Sequence, residues 1–193
     1  MLAFSSPAAA ALQSSVPLGP LDATAAALYA ILLLGEAVAD RQMFVFQKEK
    51  YRRKKEGEPA GEYSRGFIES GLWSVSRHPN YFCEVSIWWD FYLFSISASG
   101  QLINWTIVGP CFLTGLFVLP RASLDVTEAL SSRKYLDYPD YQRRVSRFLP
   151  WPPSPPAKGG PATTKPPRWH ALLPLGWFVA GVAVAASVMD ATS

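Results

Sequence analysis

The residue types best suited to chemistry fall in one stretch, residues 71–84, which reads GLWSVSRHPNYFCE. Pro79 fixes its own φ and disfavours the helical region for His78, so we expect a helix to begin at Pro79. Arg77 and His78 then stand at the helix start, where unpaired backbone N–H groups and the helix dipole favour an anion. This arrangement predicts a phosphate-binding seat formed by Arg77 and His78.

Three further side chains follow at helical spacing. Asn80, Glu84 and Trp88 are four residues apart, which places an amide, a carboxylate and an indole on one face of the helix. A carboxylate at the depth of Glu84 is costly unless it has a partner or a task. We therefore treat Asn80 and Glu84 as candidate catalytic residues. The alternative is that Arg77 and His78 bind lipid headgroups and that Glu84 pairs with Arg77.

The elements that must position these residues are predicted to be membrane helices. Four apolar segments cover residues 21–46, 85–98, 102–119 and 171–189, and each is near the roughly 20 residues that span a bilayer. The prediction is an all-α integral membrane bundle of about four transmembrane helices, with its long loops on the cytosolic or matrix side.

The distribution of charge supports this topology. All 18 Lys and Arg residues lie in or next to residues 47–77 and 121–168, which share one side if the second and third segments form a hairpin near residues 99–101. That is the positive-inside pattern. The net charge of +3 then indicates anionic lipid or an anionic cofactor and not nucleic acid. The endoplasmic reticulum and an organellar inner membrane, such as that of mitochondria, fit equally well.

The chain divides into four parts by composition. Residues 1–20 form an uncharged arm that we expect to be disordered or to lie on the surface, and residues 21–152 form the membrane domain. Residues 153–168 are a Pro-rich linker. Residues 169–193 carry the additional C-terminal transmembrane helix, in which Gly and Ala would permit close helix packing.

Several charged groups have two possible roles. The basic residues of 48–55 form a headgroup-binding helix extension or contact a phosphorylated cofactor. Glu36 and Asp40 are interfacial, or they face the bundle interior towards Arg77 or the basic loop. The helix after Pro139, which carries Arg143, lies at the interface or takes part in ligand binding. No metal site is expected, because Cys83 and Cys111 lack the nearby Cys or His that zinc requires.

An ordered series of residues between positions 36 and 152 resembles the membrane family related to the C-terminal domain of steroid 5-alpha-reductases, and most closely its uncharacterised branch. The matching residues are Gly66, Phe67, Gly71, Leu72, Trp73, Ser76, Arg77, His78, Pro79, Asn80, Tyr81, Phe82, Glu84, Trp88, Trp89, Tyr135, Tyr138, Pro139, Tyr141, Phe148, Leu149 and Pro150.

This resemblance implies a helical membrane protein that binds NADPH and delivers hydride to a conjugated carbon–carbon double bond of a lipid. It places Asn80 and Glu84 at the nicotinamide end, and Arg77 and His78 near the phosphates. Tyr81, at the motif, joins the predicted cofactor-binding set, and the resemblance adds Tyr138 and Arg143 on a closing cytosolic helix.

The chain departs from the family pattern at three places. Cys83 stands where a glycine is usual and would crowd the cofactor. The steroid reductases carry an arginine and paired histidines around residues 123–131, where this chain has Asp125, Thr127 and Glu128. A single predicted segment precedes the motif, so a reductase would need lipid-cavity helices from a partner subunit or a second copy.

Two other functions remain open. The isoprenylcysteine and phospholipid methyltransferases share the Arg-His-Pro signature but use S-adenosylmethionine, and Asn80, Tyr81 and Phe82 favour the reductase. The other alternative is a non-catalytic subunit of a larger membrane complex that uses no cofactor. The expected partners are membrane lipids and other membrane subunits or a second copy.

Overall fold

The computed structural model describes residue 12 and residues 14–58 and 61–155. Within these ranges the regular structure is helical and contains no strand, which confirms the all-α class for the described part of the chain. The elements are α1 (Pro20–Glu56), α2 (Glu62–Arg65), a 3-10 turn (Gly71–Ser74), α3 (Pro79–Ser99), a second 3-10 turn (Trp105–Ile107), α4 (Val108–Val118), α5 (Ser123–Lys134) and α6 (Tyr138–Arg144).

Helices α1 and α3 form an antiparallel pair at the centre of the fold. The hydroxyl of Ser97 donates to the carboxylate of Asp22 at 2.7 Å near one end of the pair. A Cβ added at Gly35 would lie 3.1 Å from the Cys83 sulfur near the other end. A larger residue at position 35 would therefore push the two helices apart. The Cys83 side chain faces α1 at this crossing and does not line the cavity described below.

The start and end of α3 follow the sequence closely. The helix begins at Pro79, as predicted, and His78 adopts the non-helical φ and ψ of −140° and 60°. It ends at Gly100, whose φ of +65° is the left-handed conformation that favours glycine at a helix end. The predicted hairpin near residues 99–101 is therefore present, and the indole N–H of Trp89 on α3 donates to Thr114 on α4 at 2.9 Å.

Two helical stretches are long and apolar enough to cross a membrane, Pro20–Glu56 and Trp105–Lys134. The second is interrupted at residues 119–122, where α4 ends and α5 begins. Large apolar side chains on both stretches are exposed, among them Ile31, Leu34 and Phe112, each with more than half of its surface accessible. Exposed apolar faces of this length are typical of membrane association.

The prediction of four spans is supported for two of its segments. Residues 21–46 lie in the first stretch and 102–119 largely in the second. Residues 85–98 are helical within α3, but that helix is not among the candidate spans, because Glu84, Asp90 and several Ser residues lower its hydropathy. The segment at 171–189 and most of the predicted linker and N-terminal arm lie outside the described residues.

Candidate functional site

The polar end of the α1–α3 pair encloses a cavity of about 300 Å³. Its walls come from α1, the segment around Gly66, the first 3-10 turn, α3, α5 and α6. Six of its fifteen lining residues are Phe, Trp or Tyr, and five more are neutral and polar. The lining residues are Met43, Gln47, Gly66, Phe67, Ile68, Trp73, Arg77, His78, Asn80, Tyr81, Thr127, Ser131, Tyr135, Tyr138 and Tyr141.

The cavity brings together most of the residues predicted to bind a cofactor. Arg77, His78, Asn80, Tyr81 and Tyr138 all line it. Two predicted site residues do not. Glu84 lies one turn further along α3, and the Arg143 guanidinium is partly exposed and donates to Asp140 on its own helix at 2.8 Å.

Arg77 is buried and every nitrogen of its guanidinium is bonded to protein. Its Nε and Nη2 donate to the two carboxylate oxygens of Glu128, at 2.7 and 3.1 Å. Its Nη1 donates to the backbone carbonyls of Gln142 and Val145, at 2.7 and 2.6 Å. Arg77 therefore joins α5 to the end of α6. The alternative pairing of Arg77 with Glu84 is wrong, because Glu128 occupies the guanidinium.

His78 shares the same carboxylate. Its Nε2 lies 3.1 Å from Oε1 of Glu128. Burial lowers the pKa of His78, outweighing the hydrogen bond from the imidazole to Glu128, so the ring is neutral at physiological pH. A neutral ring with a carboxylate at Nε2 carries its proton on that nitrogen. The ring also stacks on Tyr81, with centroids 5.6 Å apart and planes 7° from parallel.

Glu128 is the site residue that sequence reasoning missed. It is nearly buried in α5 and also accepts a hydrogen bond from the Gln142 side chain at 3.1 Å. The available signal was its position among residues 123–131, where the resembling reductases carry an arginine and histidines. An acidic residue at this position can neutralise the charge of the Arg77 guanidinium, which an arginine or a histidine could not do.

The face of α3 that carries Asn80 meets acidic residues of α1. The side-chain amide of Asn80 donates to Asp40 at 3.1 Å. The carboxylate of Glu84 accepts a hydrogen bond from the Trp88 indole at 3.0 Å, as their spacing of four predicts. Both Glu36 and Asp40 contact α3, as the second interpretation expected, but neither contacts Arg77. Asp40 binds Asn80, and the Glu36 side chain shares a hydrogen bond with the Glu84 side chain.

Aromatic rings form the wall opposite α3. Phe67 contacts the rings of Tyr138 and Tyr141, with centroids 5.2 and 5.4 Å apart. The Tyr141 hydroxyl donates to the Trp73 carbonyl at 2.6 Å. Burial raises the pKa of Tyr138 to about 12 and also raises that of Tyr141. Both phenols are therefore protonated and can act as hydrogen-bond donors but not as bases.

Metal chemistry has no support in the part of the chain that the structure describes. There, no three His, Cys, Asp or Glu side chains are grouped so that they could hold a metal ion. The site instead offers neutral amide, imidazole and phenol groups beside flat aromatic surfaces, which suits a planar organic ligand.

The described residues form a helical protein with two stretches long and apolar enough to cross a membrane and with a polar, aromatic-walled cavity at one end. Residues 1–145 match the profile of the family described as "Protein of unknown function (DUF1295)", which is associated with steroid 5-alpha-reductase-like membrane proteins. The chain belongs to this family.

One similar protein is the uncharacterised protein C594.04c of Schizosaccharomyces pombe. It is 37% identical over 139 residues, which cover 68% of this chain and 40% of that protein. The chain thus corresponds to less than half the length of this relative. No solved structure matches the chain.

Proposed function

We propose that the chain is the cofactor-binding part of an NADPH-dependent membrane reductase that acts on a lipid carbon–carbon double bond, such as that of a sterol or an enoyl lipid. The observation that carries the proposal is the cavity itself. It gathers His78, Asn80, Tyr81 and Tyr138, all predicted to bind the cofactor, from two helices, α3 and α6, and from the residue that precedes α3.

The cavity fits one end of such a cofactor. A volume of about 300 Å³ is at the lower limit of ligand pockets, so it suits a single ring system and not a whole dinucleotide. The tyrosine wall and the stacked His78 and Tyr81 rings offer flat surfaces to a nicotinamide ring. Bound NADPH would supply hydride.

The chain's own side chains would orient that ring. The Asn80 amide nitrogen is held by Asp40, and its amide oxygen accepts no hydrogen bond from the described residues, so it can accept one from a ligand carboxamide. Tyr138 supplies a protonated hydroxyl. Glu84 lies outside the lining and bonds to Trp88, so the proposal places Asn80, and not Glu84, against the ring.

The surroundings of the cavity support a lipid as the class of substrate. Both apolar stretches lead towards it and expose large side chains, including Phe44 on α1 and Leu119 after α4. A hydrophobic substrate held in a bilayer would reach the site along these faces. The host membrane that we propose is that of the endoplasmic reticulum or an organelle, both of which fit the distribution of charge.

A non-catalytic membrane subunit is the second candidate. The observation that favours it is the set of contacts made by Arg77, whose three guanidinium nitrogens make four hydrogen bonds to protein acceptors. A buried arginine of the motif that joins α5 to the end of α6 fits a packing role. In that case the cavity would bind no cofactor, and the partners would be other membrane subunits or a second copy.

The test is cofactor binding by the purified full chain in mild detergent, with NADPH and S-adenosylmethionine compared. We expect saturable NADPH binding, weakened about tenfold in Asn80→Ala by loss of a ligand hydrogen bond. The matched control is Gln101→Ala, which removes an exposed amide at the opposite end of α3. Binding of S-adenosylmethionine alone would identify a methyltransferase, and binding of neither would favour the non-catalytic subunit.

A further inference from the structure

The cavity has an aromatic lining but lacks a free cation within it. Arg77 is the one Lys or Arg among the described lining residues. Its guanidinium is already bonded to Glu128 and to two backbone carbonyls. A phosphate bound to Arg77 would have to displace these buried contacts, which is costly. The phosphates of a nucleotide therefore need another partner.

Two ammonium groups flank the cavity-lining residue Tyr135. The Lys50 Nζ lies 5.9 Å from the centroid of the Tyr135 ring, and the Lys134 Nζ lies 5.2 Å from it. Lys50 also donates to the carbonyl of Gly66, another lining residue, at 3.2 Å. One lysine comes from α1 and the other from the end of α5, so only the folded protein brings both close to Tyr135.

Neither lysine is paired with a carboxylate among the described residues. Nearby arginines, in contrast, are paired with carboxylates. Arg52 and Arg53 bind Glu49, and Arg144 binds Glu69 and Asp140. Lys50 is held instead by rings, with its Nζ 5.7 Å from the Phe46 centroid and 5.2 Å from that of Tyr51. Cation–π contacts fix the ammonium in place without neutralising it.

Gly66 sets the position of Tyr135 and so of the two lysines beside it. Its φ is +88°, which favours glycine, and a Cβ at this residue would lie 2.6 Å from a carbon of the Tyr135 ring. The ring can therefore rest against the backbone only because residue 66 has no side chain. This contact holds Tyr135, and with it the two ammonium groups, at the edge of the cavity.

We propose that Lys50 and Lys134 form the phosphate-binding rim of the cavity and hold a phosphate of the nucleotide whose ring lies inside it. The inference rests on the proposed function and deepens it. It assigns the phosphate contact to the two lysines, whereas Arg77 holds α5 and α6 in position. Ammonium groups bind phosphate as point charges and form charge-assisted hydrogen bonds with it.

The first experiment measures NADPH binding to the full chain in mild detergent for Lys50→Gln and Lys134→Gln. Each substitution should weaken binding roughly tenfold, the loss expected for one charge-assisted hydrogen bond, and should reduce the dependence of affinity on salt. Lys54→Gln is the matched control, because Lys54 is exposed on the same helix and lies outside the cavity lining. Equal affinity in all three variants and wild type would overturn the proposal and leave the cofactor assignment standing.

The second experiment identifies the source of the phosphate. Lysine acylation is followed by mass spectrometry with NADPH, with inorganic pyrophosphate, and in nanodiscs of zwitterionic or anionic lipid. The proposal expects NADPH and pyrophosphate to protect Lys50 and Lys134 but not Lys54. Protection by pyrophosphate without NADPH binding would retain the phosphate rim and reject the cofactor. Protection by anionic lipid alone, or by none of the probes, would overturn the proposal.

Discussion

At the scale of single residues, the carboxylate of Glu128 holds together side chains from separate parts of the chain. It accepts hydrogen bonds from Arg77, His78 and Gln142. The guanidinium and the carboxylate are both nearly buried, so each depends on the other to offset its loss of hydration. The cavity wall formed by α5 and α6 depends on this group.

Glu128→Gln should strongly destabilise the protein. It leaves the buried Arg77 without its anion, a change that typically costs about 3–5 kcal/mol in free energy of unfolding. The measurement is the thermal unfolding midpoint in detergent. Glu56→Gln is the control, since Glu56 pairs with Arg52 on the exposed surface of α1 and should change the free energy by less than about 1 kcal/mol. Similar midpoints for both variants would contradict the structural role of Glu128.

His78 should make the protein less stable in acid. Burial lowers the pKa of His78 from its ordinary value of 6.5, so the unfolded chain takes up a proton at a pH where the folded protein does not. The contribution of His78 is therefore fully present above pH 6.5 and is lost as the pH falls below it towards the folded-state pKa.

The measurement is the unfolding midpoint between pH 8 and pH 5 for wild type and His78→Gln. The variant should show a weaker dependence on pH over the acid part of this range. It retains His170, the second histidine of the chain, so the comparison isolates residue 78. An unchanged pH dependence would show that His78 ionises alike in the folded and unfolded states.

Residue types alone predicted some of these roles and not others. Pro79 gave the start of α3 because its ring geometry acts locally. The partner of Arg77 was not predictable in the same way, because Glu128 is 51 residues away and is brought close only by the packing of α5. Local geometry is determined by neighbouring residues, whereas a buried ion pair depends on the tertiary fold.

At the scale of elements, Gly66→Ala tests the wall of the cavity. The alanine would be strained at φ +88° and its Cβ would clash with Tyr135. Gly100→Ala is the control, since its φ of +65° gives a similar strain of about 1–2 kcal/mol with nothing within 4 Å of the new Cβ. We expect thermal unfolding to show a larger loss of stability for Gly66→Ala, and equal losses would mean that Tyr135 does not pack there.

Helix α3 contains a buried acid, Asp90, which is 2% exposed. Neither carboxylate oxygen has a hydrogen-bond partner among the described residues. An ionised carboxylate in such a place is costly, so Asp90→Asn should leave the unfolding midpoint unchanged or raise it. A clear fall in the midpoint would indicate that the acid has a stabilising partner.

The helices were predicted well where their signals are local. The start of α3 and the turn at Gly100 follow from Pro and Gly, and the apolar runs of α1 and α4 are evident in the sequence. The break between α4 and α5 falls at residues 119–122, which include Pro120, a residue that disfavours a helix interior. The tight α1–α3 contact at Gly35 depends on packing and could not be read from the sequence.

At the scale of the whole molecule, the distribution of charge predicts which ends share a side of the membrane. The cavity and the basic ends of α1 and α6 should lie on one side, and the α3–α4 turn on the other. Single cysteines at Lys54, Arg143 and Gln101, introduced after Cys83→Ala and Cys111→Ala, test this in sealed vesicles. An impermeant thiol reagent should label positions 54 and 143 from one side and 101 from the other, and labelling of all three from one side would refute the topology.

The most direct test of the account is to fill the cavity and measure NADPH binding. Ser131 lines the cavity, whereas its neighbour Leu130 is 60% exposed on the outer face of α5. The account predicts that Ser131→Trp abolishes binding and that Leu130→Trp binds NADPH like wild type. If the two variants bind alike, or if the wild-type protein binds no NADPH, this cavity is not the cofactor site.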